Sequence, residues 1–211
     1  MHVALLERED KPMMKKIKWG NLYLWLMFVV LYLPIIFLIT YSFNAGKVMQ
    51  GWSGFSLKHY GELFADTRIL EIVVNTFLVA LLSSLLSSVI GTAGALYIYN
   101  IKHALTKNVF LSLNNILLVS PDVIIGAAFL ILFTVMGFSL GFTSVLLSHI
   151  AFSIPIVVLM VLPRLQEMNR SLVASAKDLG ANNWQMLTRV ILPVISPGIF
   201  AGFFMAFTYS L

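Results

Sequence analysis

Four long apolar runs, separated by short polar segments, leave this chain one kind of solvent to fold in. They cover residues 22–43, 72–99, 109–136 and 142–162. The first has 22 residues. At about 1.5 Å per residue it reaches roughly 33 Å, enough to cross a hydrocarbon core of about 30 Å. A backbone in lipid must satisfy its own hydrogen bonds, and in runs of this length only a helix does so. The fold class is therefore all-α, a polytopic transmembrane helix bundle. A fifth apolar run, 198–211, has 14 residues and falls short of the ~20 that a span needs. On this reading the chain is expected to be truncated at its C-terminus.

Composition agrees. Charged residues make up 11% of the 211 and hydrophobic residues 59%, with mean hydropathy +0.91. A soluble domain carries about 25% charged residues. The net charge of +5 does not indicate nucleic acid, because the basic residues flank apolar runs and form no patch. There is no cysteine, hence no disulfide, thiol nucleophile or thiolate metal site. The first apolar run is too long for the core of a cleaved signal peptide.

Basic residues orient the spans. Arg8, Lys11, Lys15, Lys16 and Lys18 in the tail (1–21), Lys102 and Lys107 at 100–108, and Arg164, Arg170, Lys177 and Arg189 at 163–197 fall on one side. Lys47, Lys58 and Arg68 fall on the other. The N-terminus and the 163–197 loop are expected to be cytoplasmic, with 22–211 as the transmembrane domain. In the outer segment 44–71, residues 56–64 suit a short interfacial helix. Trp52, Phe55, Tyr60 and Phe64 suit headgroup level.

The second run carries small residues at helical spacing: Ser83, Ser87, Gly91 and Ala95, beside Ala80, Ser84 and Ser88. Such ridges let helix backbones approach in lipid. A pore-lining role for the serines is the alternative. Pro34 and Pro155 each remove one backbone bond inside a run and bend it.

The 163–197 loop is the most specific segment. Ser171 suits an N-cap for a helix over 172–179, and Gly180 suits the left-handed residue that ends one. Leu172, Ala176 and Leu179 share a face. Asn182 or Asn183 can cap a second short helix, 184–191, with Trp184, Leu187 and Ile191 on one face. Pro193 is expected to stop it, and Pro197 with Gly198 to open the next run. An amphipathic segment held between two spans can dock in a groove of a soluble partner or lie on the lipid surface.

Nine residues separate Gly180 from Val190, and Leu192-Pro193 follow. This resembles the ATPase-coupling loop of ABC-importer permeases: Glu-Ala-Ala, three residues, Gly, nine residues, Ile, one residue, Leu-Pro. Ala176, Gly180, Leu192 and Pro193 match. Ala174 stands in place of the Glu, Ser175 in place of the first Ala, and Val190 in place of Ile. The spacing favours docking over lipid, and the missing carboxylate removes any salt bridge from position 174. No GxxxxGK[ST] phosphate loop occurs, so the energy source is expected to be another protein.

The resemblance runs on through Ser42, Phe43 and Asn44, Asn75-Thr76, and SPDVIIG at 120–126, over nearly all the chain from Trp19. These are similar to the spermidine/putrescine permeases among type I ABC importers. The resemblance implies a MetI-like fold with about five of six spans present, in a bacterial inner membrane. It also implies a second permease subunit, an ATP-binding subunit dimer and an extracytoplasmic polyamine-binding protein. ATP and Mg would be used by the ATPase, with no cofactor bound by this chain and no catalytic role for it. The coupling residues would be Ala174, Ser175, Ala176, Asp178, Leu179, Gly180, Trp184, Leu187, Val190, Leu192 and Pro193.

Asp122 lies well inside the third run. A carboxylate there costs about 2.5–3.5 kcal/mol on insertion scales, so it faces a cavity or a partner. Asn115, seven residues earlier, shares its face, and Ser120 adjoins it. Pro121 frees the Leu117 carbonyl. These three residues are candidates for the path of a passing ammonium. Alternatively, Asp122 caps a broken helix or pairs with a basic residue of the second permease.

His149 is read as an interhelical hydrogen-bonding residue. His2, His59 and His103 have no ligand-spaced partner, and there is no metal site and no nucleophile–base pair. The methionines fill packing space.

Three other readings compete: an ABC importer for sulfate, iron or sugar, an ion-coupled secondary transporter, and a membrane-embedded enzyme. Asp122 argues against an anion. A secondary transporter calls for inverted repeats and proton relays, and the enzyme for a catalytic constellation.

Overall fold

A computed structural model describes residues 19–46, 48 and 51–211, all helical apart from short connections. The basic tail residues before Trp19, His2 and Lys47 lie outside the described residues. The chain divides into two compact units, Met1–Thr67 and Arg68–Leu211.

The first unit holds α1 (Trp19–Ser42) and α2 (Lys58–Ala65). Helix α1 is 24 residues long, contains Pro34 and buries none of its side chains. Apolar side chains on every face suit a helix surrounded by lipid or by other spans. Asn44 follows it and is only 2% exposed. Its side-chain amide donates to the Gly51 carbonyl at 2.8 Å, and its Oδ1 accepts from the Ser53 amide at 2.7 Å. A buried amide with both ends bonded clamps the loop it crosses. The clamp accounts for Asn44 in the Ser-Phe-Asn triplet. Ser42 meets the Tyr60 hydroxyl at 2.7 Å, and Phe43 stacks on Phe55 and Tyr60. The short outer helix occupies Lys58–Ala65 rather than 56–64. Ser56 instead caps its approach, accepting from the Lys58 amide at 3.1 Å.

The second unit is built on α3 (Thr67–Asn100), α4 (Ala104–Val119), α5 (Asp122–Val135), α6 (Phe142–Glu167), α7 (Arg170–Asp178), α8 (Asn183–Met186) and α9 (Leu192–Ser210). A π-helical turn, Leu187–Ile191, joins α8 to α9. The core lies where α3, α6 and α9 meet, around Ala95, Val157, Val161, Leu165, Ile195 and Ala206. Every member of the small-residue ridges is buried: Ala80, Ser83, Ser84, Ser87, Ser88, Gly91 and Ala95. The four serine hydroxyls bond back to carbonyls one turn earlier, and Ser83 also donates to Ser210 of α9 at 3.1 Å. The ridges are packing surfaces, and the serines satisfy themselves inside them.

Two spans differ from the sequence reading. The run 109–136 is not one helix: α4 and α5 meet at a 105° bend. Pro121 disfavours helical backbone at Ser120, which is extended (ψ 138°). The last span is longer than the run 198–211. A helix of 28 residues, Asn183–Ser210, passes through Pro193 and Pro197 without a break. The π turn makes this possible. The Leu192 amide reaches back five residues to Leu187, so the turn is already widened where the Pro193 ring must fit. Among the described residues four helices are long and apolar enough to cross a membrane, or five if the bent pair is one span.

Candidate coupling loop and translocation cavity

The loop between α6 and α9 is capped at both ends of α7 and at the start of α8. Asn169, not Ser171, caps α7: its Oδ1 accepts from the Ser171 amide at 3.0 Å. Both residue types cap well, and the choice follows from where α6 ends. Gly180 has φ +80°, as its placement after the helix requires. Its amide donates to the Lys177 carbonyl at 2.9 Å, and the Ala181 amide to Ala176 at 3.0 Å. That bond pair is a Schellman motif, which satisfies the last carbonyls of α7. Asn182 then opens α8 in a capping box, exchanging bonds with Gln185 at 2.8 and 3.0 Å.

These caps hold an apolar outer surface. Leu172 is exposed, Leu179 is 88% exposed and Trp184 70%. Met168 and Met186 are buried and anchor the loop to the spans. Beneath it lies a cavity of about 310 Å³, lined by Tyr99 and Asn100 of α3, Leu165 of α6, and Val173, Lys177 and Met186. Of the motif residues, Ala174, Ser175, Asp178, Gly180 and Pro193 are exposed, while Ala176, Leu187, Val190 and Leu192 are half-buried. Trp184 is exposed, whereas Leu187 and Ile191 are half-buried.

Asp122 opens α5, directly after the break. A negative charge in a first turn is favourable to the helix dipole. The residue lines a cavity of about 260 Å³ with Ile125, Phe129, Ser148, His149, Phe152 and Tyr209. Asn115 and Ser120 are outside that lining. Asn115 is exposed on α4, and the bend removes the face it would share with Asp122 on a straight helix. The Ser120 hydroxyl donates to the Ile116 carbonyl at 2.7 Å, closing the end of α4. Asn114, beside Asn115, donates to the Pro155 carbonyl at 3.3 Å and ties α4 to α6.

Of this lining, sequence reasoning reached only Asp122 as a site residue; His149 and Tyr209 are among those it missed. His149 makes no hydrogen bond among the described residues. Tyr209 is 60 positions away along the chain, and no local signal pairs the two. An intramembrane histidine was the one available hint.

The inner membrane components of binding-protein-dependent transport systems match this chain over residues 87–211. The chain belongs to that family. It is 35% identical over 195 residues to the spermidine/putrescine transport system permease protein PotC of Haemophilus influenzae, covering 90% of this chain and 74% of that protein. With PotC of Escherichia coli K12 the identity is 35% over 187 residues, 88% of this chain and 70% of the relative. With the putrescine transport system permease protein PotI of the same strain it is 32% over 199 residues, 92% and 71%.

The chain is thus a multi-pass inner-membrane permease subunit of an ABC transporter, and not an enzyme. Permeases of this family work with an ATPase and a binding protein. Among the described residues no group of three or more His, Asp or Glu could hold a metal ion.

Proposed function

We propose that this permease carries polyamines, spermidine or putrescine, and forms half of a pore with a second permease subunit. The observation that carries this reading is the likeness to PotC and PotI over about nine-tenths of the chain. The Asp122 cavity supports it. Its one carboxylate suits an ammonium group, and Phe129, Phe152 and Tyr209 suit both methylene segments and cations.

The loop, with Leu179 and Trp184 outward, docks on an ATP-binding subunit dimer. That dimer uses ATP and Mg, and this chain binds no cofactor. The side on which basic residues gather supports a cytoplasmic tail (1–21) and loop, and an extracytoplasmic polyamine-binding protein delivers the cargo.

The test is uptake of radiolabelled spermidine by cells expressing the permease with its partner subunits, with and without an active ATPase. The expected result is ATP-dependent uptake, competed by putrescine and not by sulfate or maltose. No uptake by an assembled complex overturns the polyamine assignment.

A further inference from the structure

His149 and Tyr209 are common to two cavities. The first is the one that Asp122 lines. The second, about 470 Å³, runs from Asn75 and Thr76 of α3 past both residues to Ser210. Asn75 is eight residues into α3 and His149 seven into α6. At about 1.5 Å per residue they sit roughly 10–12 Å from those helix ends. Basic residues assign these ends to the outer face. The second cavity thus leads from the outer half of the spans towards Asp122.

The shared wall is chemically suited to a cation. The His149 imidazole has no hydrogen bond among the described residues, which leaves its ring nitrogens available. Phe152 meets the Tyr209 ring edge-on at 6.1 Å between centroids and holds it in place. An unprotonated imidazole nitrogen and a phenol oxygen both accept from an ammonium, and the ring face attracts it.

We propose that His149 and Tyr209 form the wall of one passage joining the two cavities, and position a polyamine so that one ammonium meets them while another meets Asp122. This rests on the polyamine reading above. A cargo with one positive charge could use only one of the two stations, and an anion neither.

The chain has no cysteine, so single cysteines report directly. In the assembled transporter, His149→Cys and Tyr209→Cys are expected to react with a water-soluble cationic thiol reagent at least about tenfold faster than Val157→Cys, whose site is fully buried. Spermidine is expected to slow both. Labelling no faster than at Val157, in a complex that still hydrolyses ATP, overturns the passage. Fast labelling slowed by another solute, and not by spermidine, keeps the passage and sinks the polyamine reading. Fast labelling unaffected by any transported solute overturns the positioning role. Should a cysteine variant fail to assemble, His149→Gln and Tyr209→Phe are read by transport kinetics. Here the half-saturating spermidine concentration is expected to rise about tenfold at unchanged maximal rate. An unchanged value overturns the proposal.

Discussion

Gly91 of α3 faces Val157 of α6 with no room for another atom: a Cβ on Gly91 would lie 2.7 Å from the Cβ of Val157. Gly202 of α9 approaches the same valine from another side, where a Cβ would be 3.1 Å from its Cα. Three spans converge on one side chain that is 0% exposed. In lipid this fit, rather than exclusion of water, holds the spans together.

Substitutions at Gly91 should therefore act through Val157. Gly91→Leu is expected to destabilise the bundle by about 1–3 kcal/mol, the usual range for overpacking. Gly91→Ala is expected to be milder and to be partly rescued by Val157→Ala. Thermal unfolding of the detergent-purified transporter, read as a double-mutant cycle, measures this. Additive losses at the two sites would contradict the direct contact.

At Gly180 the constraint is conformational. Nothing lies within 4 Å of a Cβ built there, but φ is +80°. Gly180→Val is expected to cost about 1–2 kcal/mol through backbone strain alone. It should loosen the end of α7 and lower transport-coupled ATP hydrolysis without lowering membrane insertion. Gly180→Asn, which visits the left-handed region, is expected to stay close to wild type. Equal activity for both variants would show that the coupling surface does not need this turn.

Trp184 is exposed, so its truncation should leave the fold intact while removing the proposed docking contact. Trp184→Ala is expected to weaken ATPase binding by about 2 kcal/mol or more, roughly thirtyfold. Titration of the purified ATPase against the membrane complex checks it. Unchanged affinity would move the docking contact elsewhere.

Asp122→Asn keeps the shape of the side chain and removes its charge. Bonds to charged groups contribute about 1.5–3 kcal/mol, so spermidine uptake is expected to fall about ten- to a hundredfold. Normal rate and affinity would leave Asp122 with a purely structural role at the start of α5.

Much of the loop could be read in advance because capping is local. Gly180 and Asn182 act within four residues of themselves, and their roles hold in the structure. Ser171 was displaced by Asn169, two residues away, because the end of α6 decides which of two good caps is used. Hydropathy joined α4 to α5 because it does not register backbone angles, although Ser120-Pro121 carries the signal for a break. In the sequence Pro193 signals a stop, because a proline clashes with an α-helical turn. The widened turn that accommodates it depends on the bond from Leu192 to Leu187.

Taken by itself, the sequence determined the solvent, the helical class, the small-residue ridges and the glycine and asparagine caps of the 163–197 loop. Each depends on runs or spacings within a few turns of chain. Only the tertiary structure decided which residues share a cavity. Asp122, His149 and Tyr209 lie on three different helices, and a bend at Ser120 separates Asp122 from Asn115. A cavity is the space left when α3, α5, α6 and α9 pack, and that space depends on contacts such as Gly91 on Val157 that no local pattern encodes.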